Sequence, residues 1–167
     1  LQPSFMIGGF VKNFSGNFDK DDGMYWELEA DEYDTAFFDK QPKFMHYDPA
    51  IAVLTSVEFD HADIYKDLSH VKYAFDKFLA GMSPDSRLIA YDADPNIDEL
   101  LVEKSLSVVR YGSRENSEWR ISDYMLNDSG MNFSVSHREK FFGSFKAPFA
   151  GVHNLHNALS AIAVGSQ

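Results

Sequence analysis

The chain has 167 residues, enough for one domain with a core, and its 44% hydrophobic and 25% charged content is that of a soluble globular protein. A net charge of −11 disfavours contact with nucleic-acid backbones, and no apolar run is long enough to span a bilayer. The absence of cysteine excludes disulfides, thiolate metal sites and cysteine nucleophiles, and residues 1–11 lack the basic start and cleavage pattern of a signal peptide. The chain opens on Leu rather than Met, so it reads as a piece of a longer protein.

Residues 5–11 read as a strand containing Gly8-Gly9, a pair that predicts close approach of another backbone or a ligand. Residues 13–22 read as a polar loop. Residues 24–29 (MYWELE) predict a strand running into a carboxylate-rich loop. Residues 51–57 (IAVLTSV) predict a strand buried on both faces, again followed by acidic sequence with a histidine. Residues 87–91 (RLIAY) and 108–111 supply two further strands. Between them, Leu68, Val71, Phe75, Phe78 and Leu79 recur at helical spacing from Ile64 onward, with Asp63 as a cap and Pro84 past the end. A shorter helix is predicted over 95–104, with Pro95 at its start.

After Gly112 the texture changes. Residues 119–126, 131–137 and 140–147 read as short strands joined by turns at 128–130 and 138–139, a small antiparallel meander. A closing helix over 153–164 carries Leu155, Leu159 and Ile162 on one side. Strands alternating with helices predict an α/β fold with a mostly parallel, Rossmann-like sheet flanked by helices. The expected divisions are an α/β body at 1–112, the meander at 113–150 and a terminal helix at 151–167.

Ligands of open parallel sheets bind at the carboxyl ends of the strands. Two predicted strands end there in carboxylates: residues 29–34 (EADEYD) and 58–63 (EFDHAD). Oxygen donors with one imidazole suit Mg²⁺ or Mn²⁺ rather than Zn²⁺. Acidic residues are also common in solvated loops and at helix N-termini; Asp63 reads first as a helix cap, and His46 as a surface or core histidine. Asn154 and Asn157 lie three apart and share a helix face. Two carboxamides so placed can read a purine edge; equally, Asn154 can cap the helix while Asn157 faces water. The chain has no G-x-x-x-x-G-K-[ST], G-x-G-x-x-G or G-x-S-x-G pattern.

In combination, GGF near the start, ELEADEYDTAFFDK, AVLTSVEFDHADIY and GVHNLHNALSAIA resemble, in that order, the central ATP-using domain of the Mur ligase family. The resemblance runs through nearly the whole chain. EADEYDTAFFDK and PKFMHYDP side with the branch that joins the murein tripeptide L-Ala-γ-D-Glu-meso-diaminopimelate to UDP-N-acetylmuramate. The sister branch, which adds L-alanine, typically has EADESDASF there and is the nearest alternative.

The resemblance implies a P-loop-NTPase-type sheet whose first strand and G-T-H-G-K-T-T loop would precede Leu1. It implies that Glu29 binds Mg²⁺ beside the ATP γ-phosphate and that His61, in the D-H-x-D motif, holds a second Mg²⁺. Asn154 and Asn157, in the H-N-x-x-N motif, would contact adenine. The implied chemistry is ATP-dependent amide formation through an acyl-phosphate, a peptidoglycan-recycling step in the bacterial cytoplasm. The implied partners are UDP-N-acetylmuramate, the tripeptide and ATP, with no nucleic acid and no membrane. The position at which some relatives carry a carbamoylated lysine aligns best with Phe75, with Lys72 and Lys77 near it, and no such modification is assigned. Without the phosphate loop and flanking domains, the chain alone is expected to be inactive. Two other classes stand as alternatives: a metallohydrolase on Asp60, His61 and Asp63, and a non-catalytic acidic α/β binding domain.

Overall fold

The computed structural model describes residues 2–30, 33–36, 38–60 and 62–167. The chain forms two compact units, residues 1–47 and 48–167. These units divide the chain at a different place from the sequence-based divisions at 112 and 150.

The first unit is built on β1 (Ser4–Val11), which pairs antiparallel with β2 (Gly16–Asp19) and parallel with β3 (Trp26–Leu28). Part of the expected polar loop is therefore a hairpin strand. Its turn places Ser15 at φ 53, a left-handed conformation with no glycine to announce it. A second small sheet pairs β4 (Asp34–Ala36) with β5 (Asp39–Pro42), followed by a 3-10 turn at Lys43–His46 that buries Phe44. His46 pairs with the Asp39 carboxylate at 2.8 Å.

The second unit carries one six-stranded sheet. Its strands are β6 (Ile51–Leu54), β7 (Arg87–Tyr91), β8 (Ser107–Gly112), β9 (Trp119–Asn127), β10 (Gly130–His137) and β11 (Lys140–Ala147). They lie in the order β11-β10-β9-β8-β7-β6. The β6–β7, β7–β8 and β8–β9 pairs are parallel, and β9–β10–β11 is the expected antiparallel meander. The meander is continuous with the parallel strands through Tyr111↔Trp119. Both meander turns use left-handed backbone: Gly130 at φ 117, and Arg138 and Glu139 at φ 49 and 66 between β10 and β11. Positive φ at both central residues of a two-residue loop matches the right-handed twist of the strands it joins.

β7 is the strand buried on both faces, with Leu88, Ile89 and Ala90 fully covered. β6, for which burial on both faces was expected, ends at Leu54 and leaves Val53 exposed. It is the last strand of its sheet and pairs only with β7 among the described residues.

Three helices accompany this sheet: α1 (Leu68–Gly81), α2 (Pro95–Leu100) and α3 (Val152–Gly165). α1 begins four residues later than expected, because Asp67, not Asp63, accepts a hydrogen bond from the His70 N–H at 2.9 Å and caps it. Tyr65, which fits the apolar pattern, is buried but lies ahead of the helix. α2 stops short of Lys104, and Glu103 at φ 64 marks the break. α3 lays Leu155, Leu159 and Ala163 into a core shared with Ile89, Val109, Tyr111, Trp119, Phe133 and Val135. Burying such side chains stabilises the unit by about 1.5–3 kcal/mol each. None of the helices, over the described residues, is long and apolar enough to cross a membrane.

Candidate functional site

In the first unit, Glu29 directly follows β3. Its backbone N–H donates to the Met6 carbonyl at 3.1 Å, and its carboxylate accepts a hydrogen bond from the Gly8 N–H. A Cβ on Gly8 would stand 3.1 Å from Glu29 Oε2, whereas one on Gly9 would meet nothing within 4 Å. The expected close approach at the glycine pair is thus made at Gly8, by a carboxylate rather than by another backbone. Glu29 itself is exposed.

In the second unit, the carboxyl ends of β6, β7 and β8 form one edge, organised by the turn after β7. Asp92, immediately after β7, is 2% exposed. Its Oδ2 accepts from the Arg114 N–H at 2.7 Å and the Ser117 hydroxyl at 2.6 Å, tying down the loop after β8. Its Oδ1 has no hydrogen-bond partner among the described residues and lies against Gly112, where any Cβ would overlap it. Asp94 caps α2 by accepting from Asn96 N–H at 2.7 Å and Ile97 N–H at 3.4 Å. Its second oxygen accepts from the Val57 N–H at 2.7 Å, across to the loop after β6. Asn96 Nδ2 completes that link by donating to the Val57 carbonyl at 2.8 Å.

Glu58, Phe59 and Asp60 follow Val57 in exposed positions. His61 lies outside the described residues. Asp63 sits in a turn ahead of α1 and does not cap it.

Asn154 and Asn157 are both exposed on the first turns of α3. The helix cap is Gly151 at φ 98, with no side-chain cap, so Asn154 does not serve there; its Nδ2 donates to the Ala150 carbonyl at 2.8 Å. Between the two asparagines, His156 turns inward. Its Nε2 lies 3.1 Å from the Ser113 hydroxyl and its ring 4.8 Å from that of Tyr91. Burial pushes the His156 pKa down, with nearby Asp92 opposing and His153 adding to the shift. Burial also raises Tyr91 and Tyr111. This face of α3 is thereby fastened to β7 and to the loop after β8, which fixes the asparagines on a rigid support.

A polar cleft of about 410 Å³ lined by Arg87, Glu118, His137 and Arg138 includes Ser107, the first residue of β8. It therefore lies at the opposite strand ends from the acidic edge. Within it, burial raises the Glu118 carboxyl, but hydrogen bonds from His137 and Arg138 outweigh burial and hold the group below its ordinary range.

No group of three or more His, Asp or Glu side chains converges as a metal cage among the described residues. Mg²⁺ does not need one. It keeps several waters and is held by one or two carboxylates together with substrate phosphates. A single exposed carboxylate oriented by a backbone amide, as at Glu29, fits that donor set; its ordinary role would be to neutralise phosphate charge.

A six-stranded, largely parallel sheet accompanied by helices, with loops gathered at the carboxyl ends of its parallel strands, defines a domain of the open α/β class. The chain belongs to the Mur ligase family: the Mur ligase middle domain matches residues 11–165. It is 35% identical, over 98% of its length, to the UDP-N-acetylmuramate–L-alanyl-γ-D-glutamyl-meso-2,6-diaminoheptandioate ligase of Haemophilus influenzae, and spans 35% of that protein. It is 31% identical, over 97% of its length, to the UDP-N-acetylmuramate–L-alanine ligase of Caldanaerobacter subterraneus, spanning 34% of it. The crystal structure of UDP-N-acetylmuramate:L-alanyl-γ-D-glutamyl-meso-diaminopimelate ligase from Neisseria meningitides superimposes with a TM-score of 0.84 at 32% identity, covering 98% of this chain and 52% of that one.

Asp92, Asp94 and Ser117 were not singled out in the sequence. A signal was present in Asp-Ala-Asp-Pro after a buried strand, since Asp before Pro is a strong helix start. The neighbouring loops that these carboxylates hold are 20 and more residues away and leave no local mark.

Proposed function

We propose that this chain is the nucleotide-handling middle domain of an ATP-dependent ligase that joins the murein tripeptide to UDP-N-acetylmuramate. The observation that carries this reading is the similarity, over 98% of the chain, to a relative bearing that activity. The EADEYDTAFFDK stretch favours the tripeptide over L-alanine as the amine.

In this reading the muramic carboxylate attacks the γ-phosphorus of ATP, releasing ADP and forming an acyl-phosphate. The tripeptide amine then attacks the acyl carbon and expels inorganic phosphate. Glu29 and His61 would hold the two Mg²⁺ ions, which would neutralise charge as the anions meet. Asn154 and Asn157 contact adenine, and their fixed, exposed placement on α3 is compatible with that role. The reaction is a peptidoglycan-recycling step of the bacterial cytoplasm.

The test is ligation by the full-length protein that carries this chain, with UDP-N-acetylmuramate, ATP and Mg²⁺, offered the tripeptide and L-alanine in competition beside a His61→Ala variant. Preference for the tripeptide, lost in the variant, is expected. Preference for L-alanine moves the protein to the sister activity, and ligation of neither amine refutes the reading. The 167-residue chain alone is expected to show no turnover.

A further inference from the structure

We propose that Gly8 is a positioning residue for the metal: its N–H fixes the direction of the Glu29 carboxylate, and its missing side chain leaves that carboxylate room. The inference rests on the metal role proposed for Glu29 above.

β1 and β3 pair in parallel as far as Met6↔Leu28, and one further bond follows, from Glu29 N–H to the Met6 carbonyl. Bonds in a parallel ladder are evenly spaced, so the next one would run from Gly8 N–H to the Glu29 main-chain carbonyl. Gly8 N–H donates instead to Glu29 Oε2. The side chain thus stands in for its own main chain at the point where β3 ends. The main chain is free to leave the sheet, while the carboxylate stays tied to β1. This is the only hydrogen bond the carboxylate makes among the described residues, so β1 alone sets its direction there.

The space at Gly8 supplies the second half of the argument. Gly8 does not adopt a positive φ, so its backbone conformation does not call for glycine. A Cβ on it would stand 3.1 Å from Oε2, 3.7 Å from Cδ and 3.9 Å from Oε1 of Glu29. The first of these is tighter than ordinary contact, so the carboxylate would have to move by a few tenths of an ångström. On Gly9, the next residue of the same strand, a Cβ meets nothing within 4 Å. Mg²⁺ takes only one or two carboxylates from a protein that also presents substrate phosphates, so the direction of each one matters. Groups that orient a metal ligand from behind change metal affinity about 10–100-fold when altered.

The experiment measures Mn²⁺ binding by electron paramagnetic resonance on the full-length protein, with a non-hydrolysable ATP analogue. The wild type is compared with Gly8→Ala, Gly9→Ala, Glu29→Gln and Gly8→Ala/Glu29→Gln, with a thermal melt of each. Gly8→Ala is expected to weaken Mn²⁺ about tenfold or more and to shift its spectrum toward that of Glu29→Gln. Gly9→Ala should keep the wild-type affinity and spectrum. In the Glu29→Gln background, Gly8→Ala should cause no further loss, because it acts through Glu29; a further loss would overturn the proposal. If Glu29→Gln weakens Mn²⁺ while folded Gly8→Ala binds as the wild type does, the positioning role is overturned and the metal reading stands. Equal losses in Gly8→Ala and Gly9→Ala would also overturn it, since they would belong to the strand and not to the carboxylate. If Glu29→Gln leaves Mn²⁺ affinity unchanged, the metal reading itself falls, and this inference with it. Should Gly8→Ala fail to fold, Glu29→Asp decides, because it keeps the charge but is too short by a methylene to hold Gly8 N–H and the metal together. Weaker Mn²⁺ binding by that variant supports the placement, and wild-type affinity overturns it.

Discussion

Replacing Gly112 with alanine attacks the acidic edge at its tightest point. Gly112 sits at φ 149, where an L side chain is strained, and a Cβ there would stand well inside 3.0 Å of the Asp92 carboxylate. The backbone strain alone is worth about 1–3 kcal/mol. Relief requires the carboxylate to move, and it is held by Arg114 N–H and the Ser117 hydroxyl. Hydrogen bonds to a charged group contribute about 1.5–3 kcal/mol each. Losing one of them on top of the strain puts the destabilisation at about 2.5–6 kcal/mol, a large part of a domain's usual 5–15 kcal/mol. The assay is urea unfolding followed by tryptophan fluorescence in a Trp26→Phe background. Trp119 is then the sole tryptophan and, at 1% exposure, reports the second unit. Gly81→Ala, in the same unit, is the control. A Cβ there meets nothing within 4 Å, so stability should stay within about 1 kcal/mol of the parent. A Gly112→Ala protein as stable as Gly81→Ala would refute the packing of Asp92 against Gly112.

The remaining predictions concern the same edge and the first unit. Because burial holds the His156 pKa below its ordinary value, the folded state binds fewer protons than the unfolded chain. Its contribution is complete above the unfolded pKa of about 6.5 and declines as pH falls toward and through the lower folded value. Urea midpoints at pH 7.5, 6.5 and 5.5 should fall in that order and fall less steeply in His156→Asn; an equal slope in both would sink the assignment. Asn157→Ala should leave stability within about 0.5 kcal/mol, since the side chain is exposed. In the full-length protein it should weaken ATP binding about three- to tenfold, the worth of one hydrogen bond; unchanged binding by calorimetry would remove Asn157 from the adenine site. Phe10, Phe14, Phe18, Met24 and Trp26 of the first unit are all more than half exposed. The chain should therefore self-associate as its concentration rises, and light scattering that gives a constant 19.0 kDa species would count against it.

What could be read in advance follows from how local each cause is. β7 was legible because a strand covered on both faces must be apolar throughout, and Leu88-Ile89-Ala90 is. β6 carries the same kind of run but pairs only with β7 among the described residues, and strand order is a tertiary fact that an apolar run does not encode. The meander was legible from its turn residues. The β1–β2 hairpin was not, because its turn is left-handed at Ser15 and β2 is almost wholly exposed, without an inward-facing alternation. The start of α1 was ambiguous for a chemical reason: Asp63 and Asp67 are equally good caps in isolation, and the helix uses the second, with Tyr65 buried ahead of it. At the site, Glu29 was readable as a carboxylate closing a strand, and the asparagine pair as a shared helix face. His156, one residue before Asn157, was passed over because inward and outward residues of a helix start look alike until the partner, here Ser113, is known.

The turn after β7 shows why two carboxylates spaced by one residue serve where other acceptors would not. β7 lies between β6 and β8, so its following turn faces the loops of both neighbours. Asp92 takes the loop after β8 and Asp94 the loop after β6, each through main-chain N–H groups. An asparagine at Asp94, where both oxygens accept from N–H groups, would turn an NH₂ group toward a donor, and a glutamate at Asp92 would push its oxygens further into a position already filled at Gly112. A helix of only six residues has little packing of its own to hold the turn. The carboxylates supply that hold, and in doing so they make the geometry of two separate loops, those after β6 and β8, depend on the turn from Asp92 to Pro95. The energetic consequence is coupling. A substitution at Asp94 disturbs the loop after β6, one at Asp92 disturbs Ser113 and through it the helix bearing Asn154 and Asn157, and the two effects should not be additive where the turn itself shifts.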